Sequence, residues 1–207
     1  MSSGVVIYRK LPGRPYLLAG ADDPTAVTHS LGRLLRTLHG LSGDVDLPRD
    51  HQRIEEWLAD ATATAARIDP PLPADRRTVI RQFLAAPPPA DAAHNTLCHN
   101  DLGAEHLLID ERSGVLSGVI DWTDAAFTDP ARDIALICRD LGPDAAAAVA
   151  GIAGIAEPEL LGRATFLARA SGSKTSPTPS RTHRPGSRTC TTRIEPSGTR
   201  SSSEQVS

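Results

Sequence analysis

Apolar residues at Val27, Leu31, Leu34, Leu35, Leu38 and Leu41 recur every three to four positions, the period that lays one stripe along a helix, and Asp23-Pro24 supplies a cap and a first-turn proline ahead of them. The same period predicts a second helix with Ile54, Trp57, Leu58 and Ala61 on one face. It predicts a third over Asp75–Leu84, with Val79, Ile80 and Phe83 inward and Pro87-Pro88-Pro89 as its stop. Val5-Val6-Ile7-Tyr8 reads as a short strand that Leu11-Pro12-Gly13-Arg14-Pro15 breaks as a turn or hinge. Leu107–Ile109 and Leu116–Ile120, short apolar runs around Glu111-Arg112-Ser113-Gly114, read as a β-hairpin. With its turn centred between Ser113 and Gly114, Leu107 faces Ile120 and His106 faces Asp121. Asp129-Pro130 repeats the cap-plus-proline signal ahead of Ile134, Ile137 and Leu141, Gly142-Pro143 stops that helix, and two alanine- and leucine-rich helical stretches reach about Ala170. Trp57 and Trp122 are expected in the core, since large amphipathic rings beside helices and hairpins usually pack.

Composition divides the chain. From Ser171 onward it turns to Ser, Thr, Pro and Arg, with Ile194 and Val206 the only aliphatic residues larger than alanine, so burial cannot offset the entropy of ordering this segment and 171–207 is expected to be disordered. The switch follows the amphipathic stretch Leu160–Ala168 so abruptly that it reads as a change of reading frame. The expected layout of the 207 residues is a remnant strand and hinge over 1–13, a helical catalytic lobe over 14–170, and the tail. No apolar run approaches the roughly 20 residues that span a bilayer, and the opening ten residues are too short and wrongly ordered for a signal peptide, which places the chain in the cytoplasm. Cys98, Cys138 and Cys190 form an odd set without CxxC spacing, which predicts reduced thiols rather than a disulfide framework or a zinc cage. The net charge of -3 and an aromatic content of 3% argue against a nucleic-acid partner. Oligomeric state has no sequence signal.

Catalytic content is concentrated in His99-Asn100-Asp101-Leu102, in His106 five residues after Asp101, and in Ile120-Asp121-Trp122. Phosphoryl transfer asks a protein for one carboxylate to orient the attacking hydroxyl and accept its proton, and for groups that hold Mg²⁺ against the phosphates. Asp101 fits the first role, and His106 with Asp121 fits the second. His99 is expected to brace the loop through hydrogen bonds, and Asp129 to cap its helix. Asp133 either fixes the catalytic loop through backbone amides or is simply solvated. Glu105 and Asp124 either favour a cationic acceptor or are ordinary exposed acids.

His99-Asn100-Asp101 with a ligand position five residues on, then Gly118-Val119-Ile120-Asp121-Trp122 and Asp129-Pro130-Ala131-Arg132-Asp133, resembles the aminoglycoside phosphotransferase family, which includes macrolide phosphotransferases and is similar in fold to protein kinases. The match covers roughly residues 5–170. The resemblance implies an α+β fold: the mainly helical carboxy-terminal lobe of a kinase-like protein with a short catalytic hairpin. It implies Asp101 as catalytic base, His106 and Asp121 as Mg²⁺ ligands, His99, Asp129 and Asp133 as support for the catalytic loop, and Tyr8, Arg9 and Lys10 as a nucleotide hinge. The implied reaction moves the γ-phosphoryl group of ATP or GTP to a hydroxyl of a small molecule, with an aminoglycoside or macrolide antibiotic as the leading acceptor class. His106 stands where asparagine is commoner. The sheet, phosphate lysine and glutamate of a kinase-like amino-terminal lobe find no room before Val5, and neither of the two lysines, Lys10 in the hinge and Lys174 in the tail, is expected to serve as the phosphate lysine. Two other readings accommodate that departure: an inactive truncated or frame-shifted remnant, and a non-catalytic binding module that pairs with a separate partner.

Overall fold

The computed structural model of the protein describes residues 10–19, 24–41, 46–68, 72–155, 157 and 159–171. The strand expected at Val5–Tyr8, the hinge residues Tyr8 and Arg9, the cap expected at Asp23, Cys190 and the tail beyond Ser171 lie outside the described residues. Helices dominate, and two small sheets carry the site, so the architecture is α+β. No helix among the described residues is long and apolar enough to cross a membrane.

The apolar stripe of the first predicted helix becomes α2 (Thr25–His39), which buries Val27, Leu31, Leu35 and Leu38. Its main partner is α6 (Pro143–Ala153), an alanine-rich helix with Pro143 in its first turn. The two backbones approach closely at Gly32, where a Cβ would lie 2.5 Å from Ile152 Cβ. Helix α5 (Ala131–Leu141) runs through the centre of the molecule. Every residue from Ala131 to Cys138 is buried, because α6 covers one side and α7 (Leu160–Ser171) the other. Helix α3 (Ile54–Arg67) packs on α7 through the Ile54 and Ala61 face. Helix α4 (Ala74–Ala85) lies outermost and has no buried residue; Phe83 reaches Phe166 with ring centroids 5.3 Å apart, but Val79, expected inward, is exposed. A helix that packs on α3 and reaches Phe166 of α7 needs no more than a narrow apolar stripe, and Val79 falls outside it. Leu41 is also exposed, because α2 ends before it.

In the first sheet, β1 (Arg14–Pro15) pairs with β3 (Leu107–Ile109), and β3 with β4 (Leu116–Val119), all antiparallel. A four-residue turn, α1 (Tyr16–Ala19), follows β1. The hairpin exists, but its register differs from expectation: Leu107 faces Val119 rather than Ile120. Two local features cause the shift. Asp110 accepts hydrogen bonds from the Arg112 and Ser113 amides and the Ser113 hydroxyl, which moves the turn centre one residue toward the amino end, and the slip at Leu108/Ile109, where Ser117 is the extra residue, takes back half of that shift. Ser117 uses the bulge to donate to the Pro12 carbonyl at 2.8 Å, tying the hairpin to the Leu11–Gly13 turn.

The second sheet pairs β2 (Thr96–Cys98) with β5 (Ala126–Thr128). Phe127 also exchanges backbone hydrogen bonds with Pro48 and Asp50, which draws the segment before α3 onto the same ladder. Strand β2 delivers the chain into the His99–Asp101 loop, and β5 delivers it into α5, so the two chemistry-bearing segments leave one ladder.

Replacing Gly32 by Ala inserts a methyl group against the branched carbon of Ile152, which cannot swing away. The variant is expected to lose about 1–3 kcal/mol of stability, read as a lower urea midpoint, with Leu34→Ala, half-buried on the same helix, as a control that creates no clash.

Candidate active site

The loop His99–Asp101, the candidate catalytic loop, is fastened from below. Asp133, in the first turn of α5, is fully buried and turns its carboxylate onto the preceding loop: Oδ2 accepts the His99 amide at 3.1 Å and Oδ1 the Asn100 amide at 2.8 Å. Asp133 is therefore not solvated. Asn100 has φ +66°, a left-handed conformation that asparagine tolerates better than most residues, and its Oδ1 accepts from Arg132 at 3.2 Å. Arg132 is itself buried and also pairs with Asp50, while Asp140, at the far end of α5, accepts the Ala104 amide at 2.8 Å. Helix α5 therefore grips the loop on both sides of Asp101.

Two imidazoles shape the loop in different ways. His99 is fully buried; its Nδ1 accepts from the Asp101 amide at 3.3 Å, so its proton sits on Nε2, which faces the Ile120 carbonyl at 3.0 Å. His99 thus links the loop to the end of β4 and packs against the edge of Trp122, with centroids 4.6 Å apart. Trp122 is 41% exposed, contrary to the expectation that it lies in the core; its indole N–H donates to the Val119 carbonyl and its ring covers His99. His106 closes the 3₁₀ turn Ala104–His106. Its Nδ1 lies 2.7 Å from the Asp101 carbonyl, which can only accept, so Nδ1 donates there and Nε2 is the nitrogen that bears the lone pair in the neutral ring. Nε2 faces Asp121 Oδ2 at 3.7 Å, and Asp101 Oδ2 lies 3.5 Å from Nδ1.

The structure therefore brings Asp101, His106 and Asp121 together, although the hairpin register alone would not. The Ile120 amide bonds to the His106 carbonyl, so Ile120, not Asp121, stands opposite His106. Asp121 returns to the site because its φ of +62° turns the chain out of the strand alternation, and its Oδ1 is held by the Thr123 hydroxyl at 2.8 Å. That hydrogen bond, ahead of the nearby His106, keeps the Asp121 carboxyl below its ordinary range, so it is anionic in neutral solution. Asp101 is shifted the other way. Burial pushes its carboxyl up, reinforced by Glu105 and Asp124 and opposed by His106.

Asp101 lines a hollow of about 340 Å³ whose wall includes Gln52, Trp57, Asp124, Arg132 and Arg139. Asp124 shares this hollow with Asp101, whereas Glu105 does not line it and faces Arg139 at 3.5 Å. Asp129 accepts the Ala131 amide as a cap would, and both its oxygens also take Arg163 of α7, at 2.9 and 3.3 Å. Lys10 is exposed at the start of the described chain. Arg163, Asp50 and Asp140 were not anticipated. Arg163 is buried and bridges Asp129 to Glu157, and nothing in local spacing marks an arginine on the last helix as a partner for an aspartate 34 residues earlier.

Residues 2–166 match the family model described as the phosphotransferase enzyme family. The chain is similar to viomycin phosphotransferase of Streptomyces vinaceus, with 28% identity over 160 residues that cover 73% of this chain and 55% of that protein. Among solved structures, it resembles a GDP and kanamycin complex of an APH(2") enzyme, with a TM-score of 0.62, 20% identity, and coverage of 81% of this chain and 61% of the other. It also resembles the macrolide 2'-phosphotransferase MphH of Brachybacterium faecium, with a TM-score of 0.55, 23% identity, and coverage of 81% and 61%. The chain thus spans little more than half the length of these proteins, and the structural likenesses establish the fold.

A carboxyl raised by folding makes the ionised form costly. Its stabilising contribution is complete below the unfolded carboxylate range and is lost as pH rises through the folded value. Asp101→Asn is therefore expected to be more stable than the parent at neutral pH, with the difference shrinking as pH falls through the raised folded value and gone below the ordinary carboxylate range. Thermal melts between acid and neutral pH check this.

Proposed function

The chain belongs to the phosphotransferase enzyme family, and from that premise we propose that it carries the catalytic-loop and metal-binding half of an enzyme that moves the γ-phosphoryl group of ATP or GTP to a hydroxyl of a small molecule. The observation that carries this reading is the double use of Asp101. Its carboxylate lines the hollow, while its backbone carbonyl fixes the tautomer of His106 so that Nε2 looks toward Asp121.

Asp101 orients the acceptor hydroxyl and takes its proton. Partial burial raises the basicity of this carboxylate, which strengthens it as a proton acceptor. His106 and Asp121 are separated by 3.7 Å, less than twice the ~2.1 Å of a magnesium–oxygen contact, and one offers the lone-pair nitrogen of the neutral imidazole and the other an anionic carboxylate, so the pair fits one divalent cation. Magnesium, when bound, offsets charge on the β- and γ-phosphates. His99 keeps the end of β4, and hence Asp121, in register with the loop. Asp133 and Asp140 hold the loop amides so that Asp101 does not move during transfer. Tyr8, Arg9 and Lys10 lead into the Leu11–Gly13 turn that Ser117 ties to the hairpin, and in this reading they are the hinge beside the nucleotide.

An aminoglycoside or macrolide antibiotic is the leading acceptor class, in keeping with the kanamycin and macrolide enzymes that share the fold. Asp124, exposed on the rim beside Asp101, supplies an anionic contact for a cationic acceptor, and Trp57 supplies an apolar wall.

Asp101→Ala is expected to lower phosphate transfer by roughly 10²–10⁴-fold with little change in melting temperature, measured as phosphorylated acceptor by mass spectrometry with Mg²⁺ and either nucleotide. Equal transfer by variant and parent would remove the proposed base. Absence of any melting shift when Mg²⁺ and nucleotide are added to the parent would favour an inactive remnant.

A further inference from the structure

His39 closes α2 with its side chain buried beneath the catalytic loop. Its Nε2 lies 3.7 Å from Asp133 Oδ2 and 4.0 Å from Cys98 Sγ, and its Nδ1 is buried with no hydrogen-bond partner among the described residues. Asp133 is fully buried, and among the described residues His39 is the sole basic side chain with a nitrogen within 4 Å of its carboxylate. The two loop amides satisfy only part of the lone-pair capacity of that carboxylate, and a further N–H directed at it lowers the cost of keeping it buried. Arg132, the adjacent residue on α5, turns instead to Asp50 and Asn100. Cys98 offers nothing ionic: burial, followed by the charge of Asp133, pushes its thiol well above the ordinary range. The three groups have the spacing of metal ligands, yet the sulfur is held as a neutral thiol among the carbonyls of Thr96, Thr128 and Asp129, and both oxygens of Asp133 are already engaged by the loop. What remains is an imidazole turned toward a carboxylate that is turned toward two amides.

We propose that His39 is a positioning residue for the phosphotransfer site: its Nε2–H faces Asp133, holds that carboxylate in the orientation that receives the His99 and Asn100 amides, and through it fixes the left-handed turn that presents Asp101. Contact at 3.7 Å lies beyond hydrogen-bond length, so the link is electrostatic and acts through orientation. Its consequence for catalysis rests on the phosphotransferase reading, whereas its structural content does not. No interaction with substrate is involved, which separates this role from that of Asp101.

The test uses the full chain labelled with ¹⁵N. In His39→Phe, which keeps a ring but removes its polar edge, hydrogen exchange at the His99 and Asn100 amides is expected to rise about tenfold more than at Ile137, which lies in the α5 core and reports global opening. His39→Gln, which restores an amide donor near the Nε2 position, is expected to return the two loop amides toward the parent rate. If the parent transfers phosphate, kcat follows the same order and the KM for acceptor stays unchanged. Unchanged loop exchange in His39→Phe, or a rise matched at Ile137, overturns the proposal. A long-range ¹H–¹⁵N spectrum of the unmutated chain gives an answer even if a variant fails to fold: a proton on Nε2 is expected, and a bare Nε2 overturns the role. A parent that transfers no phosphate but shows the exchange pattern defeats the functional reading and leaves the positioning role standing.

Discussion

One buried carboxylate sets the geometry on which everything else in this molecule depends. Asp133 has no contact with solvent, and its two oxygens take the amides of the two residues that precede Asp101. A buried amide left unpaired costs about 1–3 kcal/mol, so the loop has a strong reason to adopt the one shape that reaches both oxygens, including the positive φ at Asn100. The helix that carries Asp133 is in turn deeply packed, clasped between α6 and α7. Packing of apolar helices, satisfaction of loop amides and placement of the candidate base are therefore successive links in one chain of causes.

The electrostatics of the site divide its two carboxylates. Asp121 sits on an exposed turn and is held anionic by the Thr123 hydroxyl, while Asp101 is partly desolvated and raised. A ligand for a cation benefits from permanent charge and a proton acceptor from higher basicity. His106 stands between them, with one nitrogen committed to the Asp101 carbonyl and the other left to face Asp121. The backbone carbonyl thereby makes imidazole a usable ligand at a position where asparagine is commoner.

Much of this was legible in the chain. The stripe Val27, Leu31, Leu35, Leu38 gave α2, and the Asp129-Pro130 signal gave α5, because helices long enough to show several repeats of their period announce themselves. Residue types and spacing single out the candidate site residues, but the hairpin register expected to join them differs from the one observed. The Asp110 turn and the slip at Ser117 depend on side-chain hydrogen bonds that no periodicity records. Asp121 reached the site by a backbone twist instead. Strands β2 and β5, three residues each, are too short to show alternation, and the burial of Asp133 and Arg163 follows from tertiary packing that joins distant parts of the sequence. Exposure of Val79 shows the complementary failure, where an apolar residue at roughly helical spacing has no neighbour to bury it.

The central claim is that the Asp101 loop and the mouth of the hairpin converge on one divalent cation. Paramagnetic Mn²⁺, which accepts the same oxygen and nitrogen ligands as Mg²⁺, added in small amounts to the ¹⁵N-labelled chain, tests it most directly. Selective broadening of the Asp101, His106 and Asp121 amides, with the Val149 amide in α6 unaffected, is the predicted result; broadening centred elsewhere, or none at any of the three, contradicts the account.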